Sequence, residues 1–235
     1  MNHSNYEAVI FDFFGTLVPS YTVNAYEQIL SAMAEELGIP SDFFIEKWLG
    51  TFRERAIGKI PDVRSNIDTI CSEFGVSPRA EQYEAALEVR LGYAKENIRP
   101  KKGAINILAQ IKRLGFKLGL ITDCASELPE LWDKTEFAPY FDVTLFSCLE
   151  GIKKPDPEIY KKASALLEVV PERCLYVGDG GSHELSGAKN VGMTPVLIFD
   201  KSEQGNPDTH RVDGEKWHGT VIYSFSDILG LINRA

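Results

Sequence analysis

The run Ala8-Val9-Ile10-Phe11 is apolar without interruption, and Asp12 ends it. A short unbroken apolar stretch of this kind predicts a strand buried on both faces. After Thr16 the period changes. From about Tyr21 to Leu37 apolar side chains recur at Ala25, Ile29, Leu30, Met33 and Leu37, the spacing of one helix face, until Gly38-Ile39-Pro40 stops the helix. Ser41 is placed to cap a second helix running through Phe44, Trp48 and Phe52, and further helices are predicted over 63–74 and 78–96. Pro100-Lys101-Lys102-Gly103 punctuates the end of this helical block.

From Ala104 onward helix and strand alternate. Helices are predicted over 104–114, 128–137, 157–167, 184–190 and 226–232, and strands over 117–122, 143–147, 174–177, 195–199 and 220–223. Such alternation predicts an α/β fold built on a doubly wound parallel sheet, with its site at the carboxyl ends of the strands. The helical block interrupts that pattern after the first strand. Residues 1–18 and 99–235 are therefore expected to form the α/β core, and 19–98 a smaller helical domain. The stretch 201–219, rich in Gly, Asp, Lys and His, reads as a surface loop.

Once the strands are placed, four polar clusters fall just after them. Asp12 ends the first strand and Thr122 ends Leu118-Gly119-Leu120-Ile121. Lys154 follows Phe146 in Lys153-Lys154-Pro155-Asp156-Pro157, and Asp179 opens Asp179-Gly180-Gly181-Ser182-His183-Glu184. An attacking carboxylate, a hydroxyl donor, an ammonium and a second carboxylate on one rim are the parts that phosphoryl transfer needs. His183 reads as an exposed turn residue.

The order and identity of these clusters resemble the haloacid dehalogenase-like (HAD) superfamily. The resemblance implies a Rossmann-like core with a helical cap, and matches Asp12 to the nucleophile, Thr122 to the second motif, Lys154 to the third, and Asp179 with Glu184 to the fourth. It further implies a Mg²⁺ ion held by the carboxylates of Asp12 and Asp179 and the main-chain carbonyl of Phe14. Glu184 would be a water-mediated metal ligand or the partner that orients Lys154. Substrate would be bound by Thr122, Asp123, Lys154 and a residue of the cap. Arg53, Arg55, Arg64 and Trp48 are the cap candidates, with Arg53 taken as the contact. Asp123 stands where the family usually has Asn, and is expected to cap the helix that follows.

Phe14 is the main departure. Many relatives carry a second Asp there, which protonates the leaving oxygen and later activates water; such help is worth ~10²–10⁴-fold. Without it the leaving group must be good, as in aryl or acyl phosphates, or another proton source must act, or the bond broken is not P–O. The expected function is a Mg²⁺-dependent phosphatase acting on a small phosphorylated metabolite. The alternatives are a 2-haloacid dehalogenase, a phosphonate hydrolase using Lys47 or Lys59 for an imine, and a phospho-ligand-binding protein without turnover.

Composition narrows the partners. With 44% hydrophobic and 25% charged residues the 235-residue chain is an ordinary globular sequence, large enough for a sizeable core. A formal net charge of −9 argues against a nucleic-acid surface, so a phosphate must be held by a local device. No apolar run reaches the ~18 residues that span a bilayer, and Met1-Asn2-His3-Ser4-Asn5 lacks a signal-peptide profile, which makes a cytoplasmic protein the expectation. The sequence does not separate a monomer from a homodimer, and both stay open. Cys71, Cys124, Cys148 and Cys174 are scattered and read as reduced, buried thiols.

Overall fold

The computed structural model describes residues 5–199 and 214–233. Six strands form one sheet: β1 (Ala8–Phe11), β2 (Lys117–Thr122), β3 (Val143–Phe146), β4 (Cys174–Gly178), β5 (Thr194–Ile198) and β6 (Thr220–Ile222). Their order is β3-β2-β1-β4-β5-β6, and every neighbouring pair is parallel. The chain thus winds outward in one direction from β1 and then in the other from β4. The crevice beyond the carboxyl ends of β1 and β4 is the switch point where such sheets bind ligands.

The sheet is covered on both sides, and strand alternation decides which residue goes where. Val9 and Phe11 join the core beneath helices α6 (Ala104–Arg113) and α11 (Asp227–Ile232), while Ala8 and Ile10 join the one beneath α9 (Pro157–Leu166) and α10 (Glu184–Asn190). Burial on both faces is why β1 reads as a continuous apolar run rather than an alternating one.

Between β1 and α6 lie five helices: α1 (Val23–Leu37), α2 (Ser41–Gly50), α3 (Phe52–Ala56), α4 (Val63–Phe74) and α5 (Ala80–Asn97). They enclose a separate core of Leu30, Met33, Phe44, Trp48, Ile67 and their neighbours. None of the described helices is long and apolar enough to cross a membrane. The four cysteines are free; Cys71, Cys124 and Cys174 are buried and Cys148 is partly so.

Several predicted boundaries move for local reasons. Ser41 opens α2 but does not cap it; Pro40 occupies the cap position, and no side chain caps that end. The single helix expected through Phe52 breaks at Thr51, whose hydroxyl donates to the Trp48 carbonyl at 2.9 Å and so competes with the helical backbone bonds. The helix expected over 128–137 shrinks to α7 (Glu127–Leu131), followed by 3₁₀ turns at Trp132–Lys134 and Ala138–Tyr140. There Thr135 donates to the Trp132 carbonyl at 2.8 Å and accepts from the amides of Phe137 and Ala138. Ser147 leaves β3 to open α8 (Ser147–Glu150), its hydroxyl accepting from the Cys124 amide. Of the expected surface loop, 201–213 lie outside the described residues, and 214–219 have no regular structure apart from a bend.

Candidate active site

Asp12 and Asp179 come together because β1 and β4 are adjacent at the switch point. Phe11 pairs with Val177, and the Asp12 amide donates to the Val177 carbonyl at 2.9 Å, extending the ladder one residue past the strand. The Phe13 carbonyl then gathers the amides of Thr16, Leu17 and Val18 into a tight turn, whose acceptors are Phe13 and Val18 and not Phe14. Gly15 sits in this turn at φ 84°, and a Cβ there would run into the Asp179 carboxylate. Gly15→Ala is therefore expected to destabilise the fold by at least ~1–2 kcal/mol, the cost of the left-handed conformation, seen as a lower urea midpoint.

Lys154 links the carboxylates. Its Nζ donates to Asp12 Oδ1 at 2.5 Å and to Glu184 Oε2 at 2.6 Å, and all three side chains are buried. Burial alone would favour the neutral amine, yet Asp12 and Glu184 outweigh it and hold the Lys154 pKa well above the ordinary lysine value. Glu184 is fully engaged: Oε2 also accepts from the Tyr176 hydroxyl at 2.8 Å, and Oε1 accepts from the Gly180 amide at 2.9 Å. Gly178 gives Glu184 its place, since a Cβ at 178 would overlap the Glu184 carboxyl group. Burial, then the charge of Asp12, pushes the Glu184 pKa well above the usual carboxylate range.

One carboxylate oxygen of each of Asp12, Asp179 and Glu184 lies within 4.8 Å of the others. Lys154 offsets one of these carboxyl groups; the crowding of the rest in a buried space, which also raises the Glu184 pKa, is what a divalent cation would relieve. The donor set is all oxygen, as Mg²⁺ prefers, and Asp12 Oδ2 is buried with no hydrogen-bond partner. The residues present fit that ion. Thr122, at the end of β2, is fully buried with its hydroxyl likewise unpartnered, as is that of Thr16.

A cavity of about 460 Å³ opens from this cluster. Asp12, Phe14, Asp123, Lys154, Asp179 and Ser182 line it from the α/β core, while Val23, Leu49, Phe52 and Ala94 line it from the helical insertion. Phe14 is partly buried and packs against Phe13 and Tyr21, with ring centroids 5.1 and 5.0 Å apart. Ser182 and His183 both adopt positive φ, and His183 is exposed, as the sequence suggested.

One expected cap residue and one expected cavity residue are placed differently by the structure. Arg53 is exposed on α3 and does not line the cavity; Arg55, two residues on and so on the opposite side of the helix, is buried and does. Asp123 lines the cavity, but it caps no helix. Its Oδ1 accepts from the Lys154 amide at 2.9 Å and its Oδ2 pairs with Lys153 at 3.2 Å, so it holds the lysine loop in place. Arg64 is paired with Glu84 at the surface and Trp48 belongs to the core of the insertion. Lys47 is paired with Glu73, Lys59 is exposed, and neither lines the cavity.

Sequence reasoning missed three residues. Arg90 lines the cavity from α5, at the spacing of Ala86, Tyr93 and Ala94; that spacing, which puts a charge on a buried face, was the available signal. Glu127 pairs with it from α7 at 2.7 Å. Glu215 accepts from the amides of Leu185 and Ser186 at the start of α10, steadying the helix that carries Glu184. No local pattern marks that role.

The haloacid dehalogenase-like hydrolase family model matches residues 6–192. The chain is 38% identical over 102 residues to a glyceraldehyde 3-phosphate phosphatase from Pyrococcus abyssi, a match spanning 42% of each chain. A glyceraldehyde 3-phosphate phosphatase from Methanopyrus kandleri is 28% identical over 82% of this chain and 83% of its own. Two solved structures share the fold over 97% of this chain. A phosphatase from Thermococcus onnurineus has a TM-score of 0.65 at 23% identity and 98% of its length, and a 2-haloacid dehalogenase from Pseudomonas syringae pv. tomato has 0.70 at 22% and 99%.

Proposed function

This chain belongs to the haloacid dehalogenase-like hydrolases, and we propose that it is a Mg²⁺-dependent phosphatase acting on a small phosphorylated metabolite. The observation that carries the reading is the buried cluster of Asp12, Asp179 and Glu184 around Lys154 at the mouth of a substrate-sized cavity. Its crowding of three buried carboxyl groups, which a cation would relieve, favours a metal-assisted phosphoryl transfer over the metal-free displacement of halide. The relatives named as phosphatases support the same class without supplying the substrate.

Asp12 is the nucleophile. Lys154 secures Oδ1 and leaves Oδ2 without a partner. A carboxylate oxygen attacks phosphorus, the bond to the leaving oxygen breaks with its electron pair, and water then hydrolyses the aspartyl-phosphate. Thr122 and Lys154 supply a hydroxyl and an ammonium for the nonbridging oxygens. Asp12, Asp179 and the Phe14 carbonyl would hold Mg²⁺, which when bound neutralises the charge that develops on the phosphoryl group. Glu184, with both oxygens engaged, orients Lys154. Residues 19–98 act as a cap over the 1–18 and 99–235 core, excluding water from the cytoplasmic enzyme's cavity. With phenyl in place of the acid at position 14, the leaving group departs unassisted, which favours aryl- or acyl-type phosphates over alkyl esters.

The test is phosphate release from a panel of phosphate esters with Mg²⁺ or with EDTA, with halide release from 2-haloacids measured in parallel. Metal-dependent phosphate release is the expected result. Halide release that survives EDTA, or no phosphate release from any ester, overturns the reading.

A further inference from the structure

Where α3, α5 and α7 meet, the cavity wall carries charges that phosphoryl transfer does not use. Arg90 is 5% exposed and Glu127 4% exposed, and Arg90 Nη2 lies 2.7 Å from Glu127 Oε1. The remaining nitrogens of that guanidinium, Nε and Nη1, are buried and have no acceptor. The rings of Tyr26, Trp48 and Tyr93 surround it with centroids 5.4, 5.8 and 5.9 Å away; they hold it by cation–π contact but are weak hydrogen-bond acceptors.

A second guanidinium shares this space. Arg55, 4% exposed, donates to the Trp48 carbonyl at 3.0 Å and stacks over the Trp48 ring. Burial would raise the Glu127 pKa, but Arg90 and then Arg55 outweigh it and hold the group below the usual carboxylate range, so it is an anion. Two guanidinium cations and one carboxylate leave a single buried positive charge. Glu27 also lines the cavity, but it is partly exposed to solvent.

We propose that this junction is a subsite for a carboxylate on the substrate, recognised by Arg90. A buried donor without an acceptor is costly, and an incoming oxygen removes that cost. The charge matches a monoanion; a second phosphate dianion would overshoot it. Arg90 shares one cavity with Asp12 and Lys154, so a molecule with a phosphoryl group at one end and a carboxylate at the other could engage both. The apolar side chains of Val23, Leu49, Phe52 and Leu128 would face its body.

The use of this subsite in turnover rests on the phosphatase reading; its binding of carboxylates does not. Two measurements separate them. In the first, benzoate, phenylacetate and 3-phenylpropionate are titrated by calorimetry into the Mg²⁺-loaded protein beside their uncharged amides. At least one carboxylate is expected to bind ~10–100-fold tighter than its amide, the range of a charge-assisted hydrogen bond, and Arg90→Met to remove the difference. In the second, kcat/KM is compared for 3-carboxyphenyl phosphate and phenyl phosphate. The carboxylated ester is expected to be preferred through KM, and the ratio to collapse toward unity in Arg90→Met.

Because each readout is a ratio within one variant, a partial loss of folded protein does not imitate the result. If Arg90→Met does not fold, Arg90→Lys takes its place; keeping charge but losing the planar fork, it is expected to reduce both ratios several-fold. Carboxylate binding without any phosphate release would uphold the subsite and sink the phosphatase. Equal binding of carboxylates and amides by the wild type, or a preference that survives loss of the guanidinium, overturns the subsite.

Discussion

Replacing Asp12 with Asn is expected to lower phosphate release by at least ~10⁴-fold, the scale seen when a covalent nucleophile is removed, with KM for surviving turnover changed far less. An amide is nearly isosteric with the carboxylate but cannot form the acyl-phosphate. The substitution also removes the 2.5 Å ion pair from Lys154, which keeps its bond to Glu184 and so remains placed. A binding assay separates loss of chemistry from loss of fold. Beryllium fluoride with Mg²⁺ mimics the phosphorylated carboxylate and is expected to raise the Tm of the wild type but not of Asp12→Asn. Equal stabilisation of both proteins would show that Asp12 is not the acceptor. Stabilisation of the wild type with no turnover of any ester would identify a phospho-ligand-binding protein instead.

Phe14→Asp is the second large effect, in the opposite direction. The ring lines the cavity beside Asp12, so a carboxyl group in its place would stand where a general acid is missing. For alkyl phosphates, whose leaving oxygen needs a proton, turnover is expected to rise by ~10²–10⁴-fold. For 4-nitrophenyl phosphate, which leaves as a stable anion, the first step gains little. The measurement is the dependence of kcat/KM on leaving-group pKa: steep in the wild type and shallower in the variant. The cost is lost packing against Phe13 and Tyr21, about 0.5–1.5 kcal/mol for each aromatic pair beyond area burial, which a thermal melt would register. An unchanged slope, in a variant that still responds to Mg²⁺, would mean that another group already provides the proton.

Much of this protein is legible in its sequence. The apolar runs from Ala8 and Leu118 ended where strands end, because a parallel sheet covered on both faces must bury every residue of its central strands. The motif residues Asp12, Thr122, Lys154 and Asp179 then fell at one rim, since parallel strands present all their carboxyl ends on the same side. Helix boundaries were less legible wherever a side chain competed for backbone groups. Thr51 and Thr135 each bond a carbonyl three residues back and end a helix that hydrophobic spacing alone would continue.

The sequence by itself therefore determined the class of fold, the order of its elements and the chemical groups delivered to the strand ends, because each follows from short-range periodicity and strand polarity. Tertiary structure alone decided what surrounds those groups. A five-residue helix such as α3 has too few positions to set its phase, so only packing against the core could turn Arg55 inward and Arg53 outward. The capture of Asp123 by the lysine loop and the pairing of Arg90 with Glu127 depend on residues distant in the chain, which local patterns do not relate. The cavity owes its shape to where two separately packed cores meet, and that meeting is written in neither segment alone.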